Sequence, residues 1–276
     1  MAFNKDAIWI SNSSIEDFKK CPQLYFLRDL YKYPGTTHKL KVANPYLTLG
    51  EVVHDVLSDF SKGEIYDSSL EALNNRYHYL WQIKRGIRGG FTNLKQEEEF
   101  KNRGKLMIER FWGNKKISQS KPFLTSQFPK MPLFENSQDI ILVGNLDWVQ
   151  ILPDESLHII DFKTGKNEES RDSLQLPIYT ILAKYCFNHP ISKQSFWYLD
   201  RDPEPKQESL GNLEPYLEEI KAVAAKMVEI VKNKNFFCAS GEYCFACKDY
   251  YLAFKGNAEH VLTDYNQKRE VFFIRK

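Results

Sequence analysis

The amino-acid sequence predicts an α/β protein with a central mixed sheet flanked by helices and a helical elaboration near the N-terminus. Two observations lead to this prediction. Amphipathic helical patterns come first along the chain, and a strand hairpin, a further helix and a further strand follow them. That order is typical of one α/β domain whose sheet is formed mainly by the second half of the sequence.

Periodic apolar residues and turn signals locate the individual elements. A Ser-Ser-Ile-Glu sequence from Ser13 fits a capping box, so a helix is expected to start there and to break at Pro22. Segment 31–47 is predicted to be a loop, and 121–137 to be extended with a possible edge strand. Further helices are predicted over 49–61, over 68–113 with a break at Gly89-Gly90, over 173–187 and over 213–234, and strands over 195–199 and 270–274.

The segment 140–165 predicts two strands joined by a turn centred on Asp154. A simple antiparallel register then places Asp147 opposite Asp161, with the side chains roughly 5 Å apart. Lys163 lies two residues beyond Asp161 and therefore points to the same face. Charge among so many apolar residues is costly unless it is paired or binds a metal. Because two carboxylates face one ammonium, the excess charge is negative, and a bound cation such as Mg²⁺ or Mn²⁺ is expected. The alternative is that the aspartates are strand-end residues and Lys163 a surface cation, since Asp-x-Lys alone is frequent.

The length of 276 residues suits one large domain or two small ones, and we expect one domain over residues 1–276. Within it we expect a helical insertion at about 62–118, a cysteine-containing segment at about 236–254 and a C-terminal tail at 255–276. No internal repeat, low-complexity tract or clear linker interrupts the sequence.

Composition excludes some classes of protein. The formal net charge is only +2, so any nucleic-acid surface depends on local basic clusters. Two such clusters occur, and solvated helix faces are their simpler explanation. No run reaches the ~18 apolar residues of a membrane span, and the N-terminus lacks the apolar core of a secretory signal. We therefore expect a cytoplasmic protein with no membrane partner. The clusters are Lys84, Arg85 and Arg88, and Lys101, Arg103 and Lys105.

Three further residues are candidate site residues with simpler alternatives. His54 lies on the predicted helix 49–61 and could complete the coordination of a metal held by two aspartates, although a lone histidine is more often structural. Gln175 and Tyr179 are four residues apart on a predicted helix and so share one face. They could hold a phosphate or position a water, and the alternative is a surface amide beside a core tyrosine.

The cysteines form a second candidate site. Cys238, Cys244 and Cys247 bring three thiols within ten residues, in a spacing that suits zinc or an iron–sulfur centre. Both usually need four ligands, so the fourth must come from elsewhere in the sequence. Cys21 is the best candidate, because Cys186 lies in an apolar helix and is expected to be a core residue.

Taken in order, these motifs resemble the RecB-like branch of the PD-(D/E)XK nuclease superfamily over about residues 11–250. The resemblance implies that His54, Asp147, Asp161 and the backbone carbonyl of Phe162 bind metal, that Lys163 is the catalytic lysine, and that Gln175 and Tyr179 assist at the substrate. The ordered motifs are Cys21–Tyr25 after a Ser-rich helix start, Gly50–His54, Gly144–Asp147, Asp161–Gly165 and Gln175–Tyr179.

The resemblance also implies an activity and cofactors. It implies a Mg²⁺- or Mn²⁺-dependent DNA nuclease, an exonuclease acting on DNA ends or single strands, with DNA and a helicase or integrase-type protein as partners. The alternatives are a catalytically idle nucleic-acid-binding or scaffold subunit of a repair or CRISPR complex, and a thiolate–metal protein in which the hairpin is incidental.

Part of this branch, including CRISPR-associated RecB-like nucleases and AddB-type nuclease domains, carries a four-cysteine [4Fe–4S] cluster. Cys21, Cys244 and Cys247 match its layout, and zinc is the less favoured metal. The usual last cysteine, several residues after the Cys-x2-Cys, is absent, and Cys238 would replace it.

Overall fold

Helices and mixed sheets alternate along the chain in a computed structural model that describes residues 7–67, 69–123, 128–134 and 137–275. The α/β class predicted from the sequence is confirmed. The chain divides into two compact units. The first contains the residues up to Asn12, Leu49–Trp81 and Phe100–Ala222, and the second contains Ser13–Thr48, Gln82–Glu99 and the residues from Val223 onward. The expectation that both units belong to one domain stays a prediction.

The described residues form ten strands and nine α-helices. The strands are β1 (Ile8–Ile10), β2 (Lys39–Val42), β3 (Lys130–Phe134), β4 (Ser137–Val143), β5 (Trp148–Ile151), β6 (Leu157–Lys163), β7 (Ile191–Tyr198), β8 (Lys206–Glu208), β9 (Glu259–Asp264) and β10 (Arg269–Phe273). The helices are α1 (Asn12–Lys20), α2 (Pro22–Tyr25), α3 (Pro45–Ser61), α4 (Leu70–Ile83), α5 (Leu94–Gly113), α6 (Lys115–Ser118), α7 (Gln175–Cys186), α8 (Glu214–Asn233) and α9 (Lys248–Phe254). A π-helical turn at Phe26–Leu30 and a 3₁₀ turn at Gly86–Gly89 complete them.

The first unit contains two mixed sheets. The larger has the order β5-β6-β7-β8, in which β6 and β7 are parallel and the two outer pairs are antiparallel. The smaller has the order β1-β4-β3, with β1 parallel and β3 antiparallel to β4. Strand β3 is an edge strand, as expected for 121–137, and an edge tolerates Pro132 because its missing N–H leaves no ladder bond unmade.

The predicted register of the hairpin is present. Trp148 pairs with Ile160 and Ile151 pairs with Leu157, so Asp147, immediately before β5, lies opposite Asp161. The turn between them includes Glu155 at a positive φ of 63°. The apolar alternation of both strands fixes this register, since a slip of one residue would turn the apolar side chains to the other face.

The prediction of one continuous strand before the turn was wrong. Strand β4 ends at Val143 in the smaller sheet, and β5 starts five residues later in the larger sheet. Gly144 lies at the break, where a Cβ atom would be 2.8 Å from Leu182 Cδ1 and 3.2 Å from the Tyr179 ring. A side chain at position 144 would therefore require the side chains of Leu182 and Tyr179 on α7 to move.

A cluster of buried aromatic rings lies behind the hairpin. The ring centre of Phe111 is 5.4 Å from that of Trp148, 5.8 Å from that of Phe162 and 5.9 Å from that of Trp197. Phe60 stacks on Trp148 at 6.3 Å. Each such ring buries a large apolar area, and the pairs prefer these edge and offset geometries. The cluster therefore gives the hairpin a rigid apolar backing.

The second unit contains a sheet of order β2-β10-β9, in which β2 is parallel and β9 antiparallel to β10. The predicted strand 270–274 is confirmed to within one residue. The loop prediction for 31–47 was wrong in part, because β2 and the first turn of α3 lie there. The segment 255–276, named a tail above, contributes β9 and β10. Pairing with β10 explains the error, since a four-residue strand carries too little local pattern to be recognised.

The helical predictions differ mainly at their ends. Helix α3 starts four residues earlier than expected, α7 starts at Gln175, and α8 agrees to within one residue at each end. The chain leaves helical geometry at Cys21, which is extended, as Pro22 predicted. No helix among the described residues is long and apolar enough to cross a membrane.

Candidate active site

Four polar side chains from β6 and α7 form a closely bonded network at the end of the hairpin. The Lys163 ammonium donates a hydrogen bond to Gln175 Oε1 at 2.5 Å and lies 3.0 Å from Asp161 Oδ2. Gln175 Nε2 in turn donates to Asp161 Oδ1 at 2.7 Å and contacts the Tyr179 hydroxyl at 3.0 Å. Strand alternation brings Asp161 and Lys163 together, and the four-residue spacing on α7 brings Gln175 and Tyr179 together.

Burial shapes the charge state of this network. Asp161 is 1% exposed, and burial together with the nearby Asp147 carboxylate raises the pKa of Asp161 to about 7 against the opposing effect of Lys163. Burial alone would lower the pKa of Lys163, but Asp161 and Glu169 raise it, so this residue stays an ammonium. Burial, reinforced by both aspartates, raises the pKa of Tyr179 well above its ordinary value, so its hydroxyl stays protonated.

Asp147 connects the hairpin to helix α3. Its Oδ1 atom lies 2.9 Å from His54 Nδ1, and its Oδ2 accepts a hydrogen bond from the Phe162 backbone N–H at 2.9 Å. Burial would lower the pKa of His54, but the Asp147 carboxylate raises it to about 9, so the imidazole is a cation in this arrangement. The N–H and C=O of one strand residue point to the same side, so the Phe162 carbonyl is directed past the open end of β5, toward Asp147.

A close approach of backbone segments places His54. A Cβ atom at Gly50 would lie 3.2 Å from Thr164 Oγ1, which is tighter than an ordinary van der Waals contact. Glycine therefore lets α3 come close to the end of β6, and His54 follows one helical turn later on the same face. Arg103 reinforces that end, since it pairs with Asp200 at 2.9 Å and also donates to the Thr164 carbonyl.

The residues can hold a divalent cation. Asp161 Oδ2 is fully buried, and no described residue gives it a well-directed hydrogen bond, although Lys163 Nζ lies 3.0 Å away. A buried carboxylate oxygen in this state is expected to have a further partner. Two carboxylates, an imidazole and a backbone carbonyl form a donor set with the hard oxygens that Mg²⁺ and Mn²⁺ prefer. Holding a metal would require His54 to release its proton.

An open cleft of about 650 Å³ adjoins Asp147 in the first unit. Its wall contains the outer side of α3, the segment that leads into β5, and aromatic residues on the opposite side. Phe128 is 64% exposed, and the rings of Phe123 and Phe187 are 4.9 Å apart. The cleft therefore joins the candidate metal ligands to a surface on which flat groups could stack.

The sequence profile of the PD-(D/E)XK nuclease superfamily matches residues 10–248, which is most of the chain. The chain belongs to this superfamily. Among curated proteins, none matches the chain. Members of the PD-(D/E)XK superfamily are typically metal-dependent nucleases, so the match supports hydrolysis at the site that the hairpin, α3 and α7 form.

The superfamily motif residues lie together, but the roles assigned to them stay predictions. Glu169 was not predicted from the sequence. Its carboxylate lies 2.8 Å from Lys163 Nζ, and its backbone N–H donates a hydrogen bond to the Tyr198 hydroxyl. It lies in a polar loop beside Glu168 and Asp172, and no local pattern distinguishes it from them. The cleft aromatics were missed for the same reason.

The four cysteines named above form a second cluster, in the second unit. The Sγ atoms of Cys21, Cys238, Cys244 and Cys247 all lie within 4.8 Å of one another and form a candidate metal site. Thiolates are the ligands that zinc and iron–sulfur centres favour. Burial raises the pKa of the Cys21 and Cys247 thiols. The pKa of Cys244 falls to about 7, because hydrogen bonds from the backbone of Cys247 and Ala246 outweigh its burial.

Two other expectations from the sequence concern Cys186 and the basic clusters. Cys186 is exposed, so its assignment to the core was wrong: it is the last residue of α7, where the apolar face has ended. The basic clusters are partly neutralised by ion pairs, and two of their cations, Lys84 and Arg103, are mostly buried, so neither cluster is entirely a solvated helix face. These pairs are Arg85 with Glu97, Lys84 with Asp264, Arg103 with Asp200 and Lys105 with Glu109.

Proposed function

We propose that the chain is a metal-dependent deoxyribonuclease of the RecB-like branch that hydrolyses phosphodiester bonds at DNA ends or in single strands. The observation that supports it best is the bonded network of Asp161, Lys163 and Gln175 beside Asp147. A structural ion pair needs one carboxylate for one ammonium, whereas Lys163 here faces the two carboxylates of Asp161 and Glu169, with Asp147 nearby. Such an arrangement suits cation binding better than fold stability alone.

Asp147, Asp161, His54 and the carbonyl of Phe162 would hold the metal. Mg²⁺ or Mn²⁺ bound there polarises a phosphate oxygen and lowers the pKa of a bound water. The protein's own contribution is to fix the ligands: the Phe162 N–H holds one oxygen of Asp147, and Gln175 holds one oxygen of Asp161. Each aspartate thereby keeps its orientation while its other oxygen can face the cation.

Lys163 is the residue that we assign to charge stabilisation at phosphorus. Its ammonium is fixed by Gln175, Asp161 and Glu169 and stacks over the Phe196 ring at 5.0 Å. A fixed cation stabilises developing negative charge more than a mobile one, because it needs no reorganisation during the reaction. Gln175 is then the positioning residue for both Lys163 and Asp161, and the neutral Tyr179 hydroxyl supports the Gln175 amide.

The cleft supports a single-stranded or frayed substrate. Base–aromatic stacking is worth about 1–3 kcal/mol per base and tolerates any sequence. The cleft offers three such rings, those of Phe123, Phe128 and Phe187. Lys62 also lines the cleft, where its ammonium would bind the backbone phosphates. DNA rather than RNA as the substrate, and a helicase or integrase-type partner, rest on the resemblance to the RecB-like branch alone.

The alternative of an idle binding or scaffold subunit lacks comparable support. An idle relative has no need to keep Asp161, Lys163 and Gln175 in mutual contact near Asp147 at a cost in stability. The site is complete in this respect, which favours an active enzyme.

A substrate comparison tests the proposal. Purified protein would be incubated with linear and circular DNA, each single- and double-stranded, and with linear RNA, in Mg²⁺, in Mn²⁺ and without either ion. We expect metal-dependent cleavage of linear single strands and of ends, with circular duplex resistant. Cleavage of circular DNA would replace the exonuclease assignment by an endonuclease, and absence of cleavage of every substrate with both ions would refute the proposal.

A further inference from the structure

The distances between the sulfur atoms of the four cysteines distinguish between the two metal centres that thiolates favour, zinc and an iron–sulfur cluster. In a [4Fe–4S] cluster each cysteine binds a different iron atom. Two cysteine sulfurs are then separated by two iron–sulfur bonds and by the distance between the two irons, so they lie farther apart than around a single ion. A single tetrahedral ion with sulfur bonds of about 2.3 Å holds its four sulfurs about 3.8 Å apart instead. The spacing of the sulfur atoms therefore distinguishes the two.

The observed spacing matches one ion. Cys244 Sγ and Cys247 Sγ are 3.7 Å apart, and all four Sγ atoms lie within 4.8 Å of one another. A four-iron cluster with its own sulfides does not fit between sulfurs this close. The four cysteines therefore do not fit the [4Fe–4S] cluster that the resemblance implied.

The local backbone fixes the narrow spacing. Cys21 lies at the extended residue between α1 and α2, and Cys247 directly precedes α9. The turn 244–247 is closed by the Lys248 N–H, which donates to the Cys244 carbonyl at 3.0 Å, and the Cys244 N–H points at Cys247 Sγ at 3.2 Å. Cys238 enters from a tight turn whose bridge to Gly241 requires a positive φ of 94° at that glycine.

The departure from the four-iron layout has a residue-level basis. Helix α9, which follows the Cys-x2-Cys, has no cysteine, and its buried residue Ala253 packs in the same apolar cluster as the thiols. Cys238 supplies the fourth sulfur from the other side of the turn and is itself buried.

We infer that Cys21, Cys238, Cys244 and Cys247 bind a single zinc ion in a closed, redox-inactive structural site. Four thiolates around one tetrahedral ion leave no open position for a substrate. Zinc also binds a given ligand set more tightly than Fe²⁺ does. The ion would tie the segment that starts at Ser13 to the C-terminal segment of the second unit. This inference does not depend on the proposed nuclease activity.

Metal analysis of the full-length protein tests the inference. The protein would be produced in cells supplied with both iron and zinc, purified without oxygen, and assayed for zinc, iron and acid-labile sulfide. We expect one zinc per chain, no sulfide and a colourless preparation. Iron with sulfide would overturn the inference, and so would one iron per chain without sulfide, because the inference assigns the site to zinc.

A matched pair of variants tests the ligand set. Cys238→Ser is expected to lose its zinc to a chelator that leaves the wild-type protein loaded, whereas Cys186→Ser, which changes an exposed cysteine outside the cluster, is expected to retain it. Retention of zinc by both variants would remove Cys238 from the site. If Cys238→Ser does not fold, Co²⁺ exchanged into wild-type protein gives an independent reading. Intense visible bands of a tetrahedral tetrathiolate site at one equivalent are expected, and weak octahedral bands would contradict the inference.

Discussion

Replacing Asp161 by asparagine should stabilise the metal-free protein, by an amount that depends on pH. The charged carboxylate is 1% exposed and its pKa is raised to about 7, from 3.8 in the unfolded chain. A folded pKa above the unfolded one means that the ionised side chain destabilises the fold above pH 7, and that this penalty disappears below pH 3.8. Each pKa unit corresponds to about 1.4 kcal/mol, so the full penalty is about 4 kcal/mol at pH 8 and about 1 kcal/mol at pH 4.5.

The attraction of Lys163 for the ionised carboxylate is already contained in the raised pKa of Asp161, so it needs no separate correction. We therefore expect the difference in unfolding free energy between Asp161→Asn and wild type to favour the variant by about 3 kcal/mol more at pH 8 than at pH 4.5.

Urea unfolding in buffers free of Mg²⁺ and Mn²⁺ measures this difference. Asp172→Asn is the matched control, because that aspartate is exposed and lies in the neighbouring loop. Adding Mn²⁺ at pH 8 should then raise the unfolding midpoint of wild type and of the control but not that of Asp161→Asn. An unchanged difference between pH 4.5 and pH 8 would refute the reasoning that burial destabilises the carboxylate.

Three further predictions concern residues that support the two units. Gln175→Ala should lower kcat/KM for DNA cleavage by about 10- to 100-fold, because it removes charge-assisted hydrogen bonds of about 1.5–3 kcal/mol each to Lys163 and Asp161. The control variant Gln207→Ala, which changes an exposed glutamine, should stay near wild type in the same assay. Burial, with a smaller effect of Lys193, lowers the pKa of His158 to about 4, so the unfolded chain binds a proton that the fold rejects. Between pH 6.5 and pH 4, the unfolding free energy of wild type relative to that of His158→Gln should therefore fall by about 3 kcal/mol in urea unfolding, and an unchanged difference would contradict this. Glu270→Gln should lower the unfolding free energy by about 2 kcal/mol at pH 7. The buried Glu270 carboxylate contacts the imidazoles of His38 and His260 at 2.6 Å and accepts a hydrogen bond from the Thr263 hydroxyl at 2.8 Å. An unchanged unfolding free energy would contradict this prediction.

The parts of the fold that the sequence predicted correctly are those with a strong local period. Helix α8 has a long apolar stripe, and the hairpin register follows from alternating apolar residues around one short turn. Strand β2 could not be predicted, because its four residues form a strand only through pairing with β10, more than 200 residues later. The break between β4 and β5 was missed for the same reason, since β4 pairs with the distant β1.

The parts of the candidate site that could be predicted are likewise those with a local period. Asp161 and Lys163 share a face by strand alternation, and Gln175 and Tyr179 by helical spacing, so both pairs could be read from the sequence. The contact of Glu169 with Lys163 depends on how a polar loop folds back over β6, which no periodicity encodes. The spacing of the cysteine sulfurs depends likewise on a tight turn at Gly241, so the sequence alone could not separate zinc from an iron–sulfur cluster.

The proposed nuclease activity requires the hairpin aspartates to support metal-dependent hydrolysis of DNA. Its most direct test is the initial rate of Mn²⁺-dependent cleavage of a linear single-stranded DNA by wild type, Asp161→Asn and Asp172→Asn, each shown to be folded. We predict that wild type and Asp172→Asn cleave at similar rates, and that Asp161→Asn is slower by on the order of 10²-fold or more. Equal rates for Asp161→Asn and wild type, or no cleavage by wild type with Mn²⁺ or Mg²⁺, would contradict the claim.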